Sequence, residues 1–169
     1  MKKILVFCLF LCVAGSLSAL DWITLEKMSF GIGAEANANT REGAAAGGVL
    51  SFDLELNKHF LIGLNATFSH NFDTVFTLEP RVFFRYNLPF KINGFFVQAE
   101  LGTAVFFEDS KAYPAFSGGL AAGWRFLFNE KFYIEPYIRG GYPFIWGIGL
   151  TAGMSLSLKK ESVNTGEIE

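Results

Sequence analysis

FFVQAELGTAVFF, residues 95–107, decides how this chain is read. Phe95, Val97, Ala99, Leu101, Val105 and Phe107 fall on one parity, and Gln98, Glu100 and Gly102 on the other. That period of two belongs to an extended strand. A strand buried on both faces would not carry Gln98 and Glu100 at its centre, and the stretch is too short for a helix that crosses a bilayer. It asks for apolar surroundings on one face and wet, charged surroundings on the other.

The alternation recurs along the chain. Phe30, Ile32, Ala34 and Ala36 oppose Ser29, Gly31, Gly33 and Glu35; Leu50, Phe52, Leu54 and Leu56 oppose Ser51, Asp53 and Glu55. Phe60 to Phe68 and Phe76 to Tyr86 repeat it, with Asn65, Thr67, Glu79, Arg81 and Arg85 on their polar faces. Phe116 to Phe128, Phe132 to Tyr142 and Trp146 to Leu158 complete a set of eight strands of about 9 to 13 residues, the length a tilted strand needs to cross a bilayer. None of the apolar faces holds a charge, whereas the opposite faces hold Glu35, Asp53, Glu55, Glu79, Arg81, Arg85, Glu100, Arg125, Glu135 and Arg139. A Lys or Arg facing lipid at the midplane costs about 2–4 kcal/mol, so lipid exposure predicts this charge-free face.

Volume says which face is outside. Of 20 Phe most lie on the apolar faces, too much bulk for the interior of an eight-stranded barrel, which a few side chains fill. Gly, Ser, Thr and Ala on the polar faces fit that interior. Aromatic residues gather at strand ends, among them Phe60, Phe68, Phe76, Tyr86, Phe107, Trp124, Phe128, Tyr142 and Trp146, as the two interfacial girdles of a membrane barrel require. The expected fold is all-β: an eight-stranded antiparallel up-and-down transmembrane barrel spanning residues 20–158.

Residues 1–19 read as a cleavable signal peptide, with Lys2 and Lys3 before an apolar core from Ile4 to Ala14 and small residues at Gly15, Ser16, Ser18 and Ala19. Cleavage after Ala19 is preferred over cleavage after Ser18. Both cysteines, Cys8 and Cys12, fall inside this segment, so the mature chain is expected to contain no disulfide and no thiolate metal site. Losing Lys2 and Lys3 lowers the formal charge of −2 further, which leaves no basic patch for nucleic acid. No later run is long and apolar enough for a spanning helix. Residues 159–169 read as a polar tail.

Asn57–His59, Asn129–Lys131 and the longer 87–93 connection are expected on the periplasmic side. The connections 37–45, 69–74, 108–114 and 143–145 are expected to face outward. Pro80 and Pro136, in the matching stretches LEPRVFFRY and IEPYIRGGY, should each mark a bulge or a weak pairing, because proline has no N–H for the ladder. The chain resembles the small eight-stranded outer-membrane barrels of the OmpA, OmpX and OmpW kind over about residues 28–158. TAGMSLSL also resembles their barrel-assembly signal, through Thr151, Gly153, Leu156 and Leu158. Relatives end that signal on an aromatic residue, where this chain has Leu158 and then continues. The resemblance implies a bacterial outer-membrane location, contact with lipid, handling by the barrel-assembly machinery and, on the OmpW side, passage of a small apolar solute.

Glu79, Arg81, Arg85, Glu100, Arg125, Glu135 and Arg139 are expected to form a charge network in the lumen. Pairing Tyr86 with Phe95 would set Arg81 opposite Glu100, and pairing Phe128 with Phe132 would set Arg125 opposite Glu135. Leu61, Phe83, Phe96, Phe106, Leu127, Tyr133 and Tyr137 also point inward on this parity, as packing or as a narrow apolar path. The one candidate for catalysis, His70 beside Ser69, is set aside because neighbouring strand residues diverge. No cofactor, metal site or enzymatic activity is expected. The function implied is structural or narrow transport, with surface interaction through the outward loops as the alternative.

Overall fold

The computed structural model describes residues 25–39, 43–89 and 94–158. The segments expected to be a signal peptide and a polar tail lie outside them. Nine strands form: β1 (Lys27–Asn39), β2 (Gly43–Asn57), β3 (Phe60–His70), β4 (Phe76–Asn87), β5 (Phe95–Glu108), β6 (Lys111–Trp124), β7 (Phe126–Phe128), β8 (Phe132–Tyr142) and β9 (Phe144–Ser157). Both β6 and β7 pair with β8, and they make one stave interrupted at Arg125. Every pairing is antiparallel, and β9 returns to β1 from Lys27↔Ser157 to Asn39↔Phe144, so eight staves close into a barrel. Closure gives every ladder a partner and leaves no sheet edge.

The two parities separate as physical surfaces. Leu64, Leu101 and Leu120 are 54%, 57% and 69% exposed, while Gln98 and Glu100 are buried. The greasy residues of the strands face out and the polar ones crowd the interior. Among the described residues no helix is long and apolar enough to cross a membrane.

Several expectations are corrected. Tyr86 pairs with Val97, not Phe95, so Arg81 lies opposite Gly102. Alternation constrains inward against outward and tolerates a slip of two; the slip is set where the Leu88 N–H bonds the Phe95 carbonyl at 3.0 Å. Leu56, expected on the lipid face, is buried. A register shift between Glu55 and Asn57 turns it inward, as an extra residue in one strand does. Leu127 is 53% exposed, because β7 reaches the barrel mouth, where inward-pointing residues meet solvent. At the prolines, of the two outcomes expected, the weak pairing is found and not the bulge. The β4–β5 register is the same on both sides of Pro80, with a gap at Glu79 and Pro80, and the β8 ladder toward β6 and β7 likewise skips Glu135 and Pro136.

The strands also run further than the alternation suggested, which shortens the connections at the end away from the chain termini. There the β5–β6 link is Asp109–Ser110 alone, with φ of 47° and 63°, the left-handed pair that a two-residue hairpin demands. Only Pro143 separates β8 from β9. At the end with the termini, the Asn57 side chain accepts from the N–H groups of His59 and Phe60 at 2.9 and 3.1 Å, fixing the β2–β3 turn.

Candidate functional site

The lumen is where this fold concentrates its chemistry. Each inward residue is aimed by strand parity, and glycines on the same face make the room. A Cβ on Gly149 would overlap the Tyr137 ring, and one on Gly31 or Gly153 would meet Tyr133. Large side chains therefore lie flat across glycine-lined walls.

Near the termini, Arg125 bonds Asp53 at 2.8 Å and Glu135 at 2.6 Å. Glu135 also accepts a two-pronged bond from Arg85, at 2.7 and 2.8 Å. The third Arg85 donor, Nε, reaches Gln98 Oε1 at 2.8 Å, and the Gln98 amide donates to Glu100. Glu100 in turn accepts from Arg81 at 2.8 Å, and Arg81 also donates to Thr67 at 2.7 Å. Above this, Arg139 bonds Glu35 at 2.6 Å and Glu79 at 2.7 Å. Arg81 lies 3.6 Å from Glu79 and 4.0 Å from Glu35, which links the two halves. Tyr137 and Asn37 donate to Glu35, and Ser117 donates to Glu79.

One polar chain thus runs up the barrel axis. The guanidinium groups lie over aromatic rings as well as being paired. Arg85 lies 3.8 Å from the Phe96 ring centre, Arg125 lies 4.3 Å from Tyr133, and Arg139 lies 4.6 Å from Phe144. Stacking on aromatic faces suits the delocalised cation of Arg, and carboxylates take its donors in the plane. The void bordered by Arg85, Phe96, Gln98, Glu100, Glu135 and Tyr137 is about 10 Å³, at most one water's worth.

At the end away from the termini the character changes. Val75, Ala104, Phe106 and Phe144 pack together with Tyr113 and Ala115 against them. An apolar stopper therefore caps the charge network. The opposite mouth is wetter: a hollow of about 250 Å³ lies among Lys27, Glu55, Lys58, His59, Leu61, Leu127 and their neighbours.

All seven network residues expected from the sequence meet in this chain. Arg125 and Glu135 sit in the pair assigned to them, and Arg81 reaches Glu100 diagonally rather than directly across. Glu35 and Asp53 were legible as inward charges but not as members. Their partners are 104 and 72 residues away, joined only when the sheet closes. Phe144 lies outside the expected last strand, which begins at Trp146, whereas β9 begins at Phe144 itself. Of the assembly-signal residues, Thr151 is buried inside and Gly153 faces the lumen beside Tyr133, while Leu156 and Leu158 are 40% and 41% exposed. Ser69 points inward and His70 outward. Among the described residues no group of three His, Cys, Asp or Glu side chains could hold a metal ion.

No family profile matches this sequence, and no curated protein does. Solved structures do match. The N-terminal β-barrel domain of Pseudomonas aeruginosa OprF is similar at a TM-score of 0.56 and 16% identity, covering 78% of this chain and 98% of that one. Neisserial surface protein A aligns at 0.57 and 13% identity, over 77% and 96%. Pseudomonas aeruginosa outer membrane protein OprG aligns at 0.51 and 11% identity, over 79% and 97%. At such identities the likeness is one of fold: the closed eight-stranded barrel of small outer-membrane proteins.

Proposed function

We propose that this chain is an integral protein of the bacterial outer membrane whose barrel is a sealed structural element rather than a channel. One observation carries the reading: a lumen filled from Asp53 to Phe144 by paired charges and then by an apolar stopper, with about 10 Å³ left among the central residues. Water-filled pores belong to much wider barrels. Residues 1–19 would direct export, and Thr151, Gly153, Leu156 and Leu158 would present the last strand to the assembly machinery. The end with the termini then faces the periplasm. The opposite end carries links of one to five residues where bounded by described strands, which gives loop-borne adhesion little surface. Catalysis forms no part of the proposal.

The test is made on the mature chain refolded in detergent. Its unboiled form should migrate apart from its boiled form on a gel, and liposomes containing it should swell in small sugars no faster than protein-free ones. Swelling at porin-like rates would reject a sealed lumen.

A further inference from the structure

Beside the termini, the mouth of the lumen is charged without being internally paired. Its hollow of about 250 Å³ is lined by Lys27 on β1, Glu55 on β2, Lys58 and His59 in the turn that follows, Leu61 on β3 and Leu127 on β7. Arg125 borders it on the side of the charge network, and its guanidinium is already taken by Asp53 and Glu135 at 2.8 and 2.6 Å. The lysines are different. Lys27 stands opposite Glu55 in the β1–β2 ladder, but among the described residues neither Lys27 nor Lys58 forms an ion pair or a hydrogen bond. Two ammonium groups against one carboxylate leave one positive charge in surplus. A concave site with an excess of one sign concentrates its field on a counter-ion.

Part of the wall is apolar. Leu61 is buried, whereas Leu127, whose parity points it inward, is left 53% exposed at the mouth. Leu88 and Pro89 border the same hollow. A ligand that covers Leu127 gains the burial this side chain lacks.

We propose that this cup binds a small monocarboxylate, whose anionic group is held by Lys27 and Lys58 and whose apolar body covers Leu127 and Leu61. Charge and size favour this occupant. One negative charge balances the surplus. The hollow is smaller than the roughly 300–1,000 Å³ of pockets that enclose drug-sized ligands, so a phospholipid or a long acyl chain would not fit. Inorganic phosphate would leave both leucines bare. Because Arg125 and its carboxylates lie across the way inward, the site holds its ligand and returns it to the same side. The carboxylate can belong to a free acid or to the end of a peptide, and the test separates the two. That the ligand comes from the periplasm rests on the membrane reading above; that it binds does not.

The chain carries its own control. It has two histidines, His59 in the cup and His70 facing outward at the far end of the barrel. The untagged mature chain, refolded in zwitterionic detergent, is titrated with N-acetylleucine while the imidazole C–H signals are followed by NMR, with gel mobility checking the fold of each variant. The His59 signals should shift saturably and those of His70 should stay. N-acetylleucine amide, which has the same shape without the charge, should move neither. Lys27→Gln should weaken binding roughly tenfold, the scale of a hydrogen bond to a charged group. Lys58→Gln should weaken it less, because Lys58 is exposed. Lys131→Gln, in the turn before β8 and outside the hollow, should leave it unchanged. Acetyl-Gly-Gly-Leu binding more tightly than N-acetylleucine would identify a peptide end, and binding more weakly a free acid. No saturable shift at His59, an equal response to the amide or to inorganic phosphate, or an equal loss in Lys131→Gln would overturn the site while leaving the sealed barrel intact. Porin-like swelling beside an unchanged His59 titration would reject the seal alone.

Discussion

Arg139 holds two carboxylates at once, Glu35 at 2.6 Å and Glu79 at 2.7 Å, with both partners fully enclosed. Its ring partner Phe144 closes the remaining face. Such a residue stabilises less by its own attraction than by preventing the desolvated charges beside it from standing alone. Arg139→Met should therefore cost about 3–5 kcal/mol, the scale of stranding a buried partner. Arg139→Lys should fall between, since a point charge cannot reproduce the fork that serves both carboxylates. Urea unfolding from lipid vesicles, followed by tryptophan fluorescence, measures both. A loss under 1 kcal/mol for Arg139→Met would show that Arg81, 3.6 Å from Glu79 and 4.0 Å from Glu35, takes over its role.

Among the strands, the outer face of the β6–β7 stave and the ladder between β4 and β5 make opposite predictions. Leu120 lies midway along the stave spanning residues 111–128 and is 69% exposed, which in the proposed membrane setting is the depth at which lipid is least forgiving. Leu120→Arg should cost about 2–4 kcal/mol in vesicles, with a much smaller cost at Phe128, near the stave's end. Equal costs at the two positions would speak against a bilayer around this face. Pro80 interrupts the β4–β5 ladder without shifting its register, so a residue with an N–H could complete the pairing. Pro80→Val should raise stability by about 0.5–1.5 kcal/mol, the net worth of one hydrogen bond. A destabilisation there would mean that the gap is relieved in another way.

For the whole molecule, two barriers lie in series along one axis: the network of guanidinium and carboxylate groups, and the stopper of Val75, Ala104, Phe106 and Phe144. Either should suffice to seal the barrel. The double variant Phe106→Ala, Phe144→Ala removes most of the stopper and leaves the Arg81–Glu100 and Arg85–Glu135 pairs in place. Liposomes carrying it should swell as slowly as those with the parent barrel. Faster swelling would assign the seal to the apolar end, with the charges holding shape alone.

The strand period, the charge-free outer face and the inward parity of every network residue could be read from residue order alone, because a strand sends neighbours to opposite sides whatever it pairs with. Parity is local, and it settled that Gln98 and Glu100 look into the lumen. It could not settle which inward residue meets which. A two-residue slip between β4 and β5 preserves every face, and it moved Arg81 from Glu100 to Gly102. The bulge that turned Leu56 inward leaves no mark in the alternation itself. The bonds from Arg139 to Glu35 and from Arg125 to Asp53 cross the barrel between residues 104 and 72 apart, and they exist only once β9 meets β1. Composition and order determined a cylinder with a greasy outside. Closure, a long-range event, chose the partners within it.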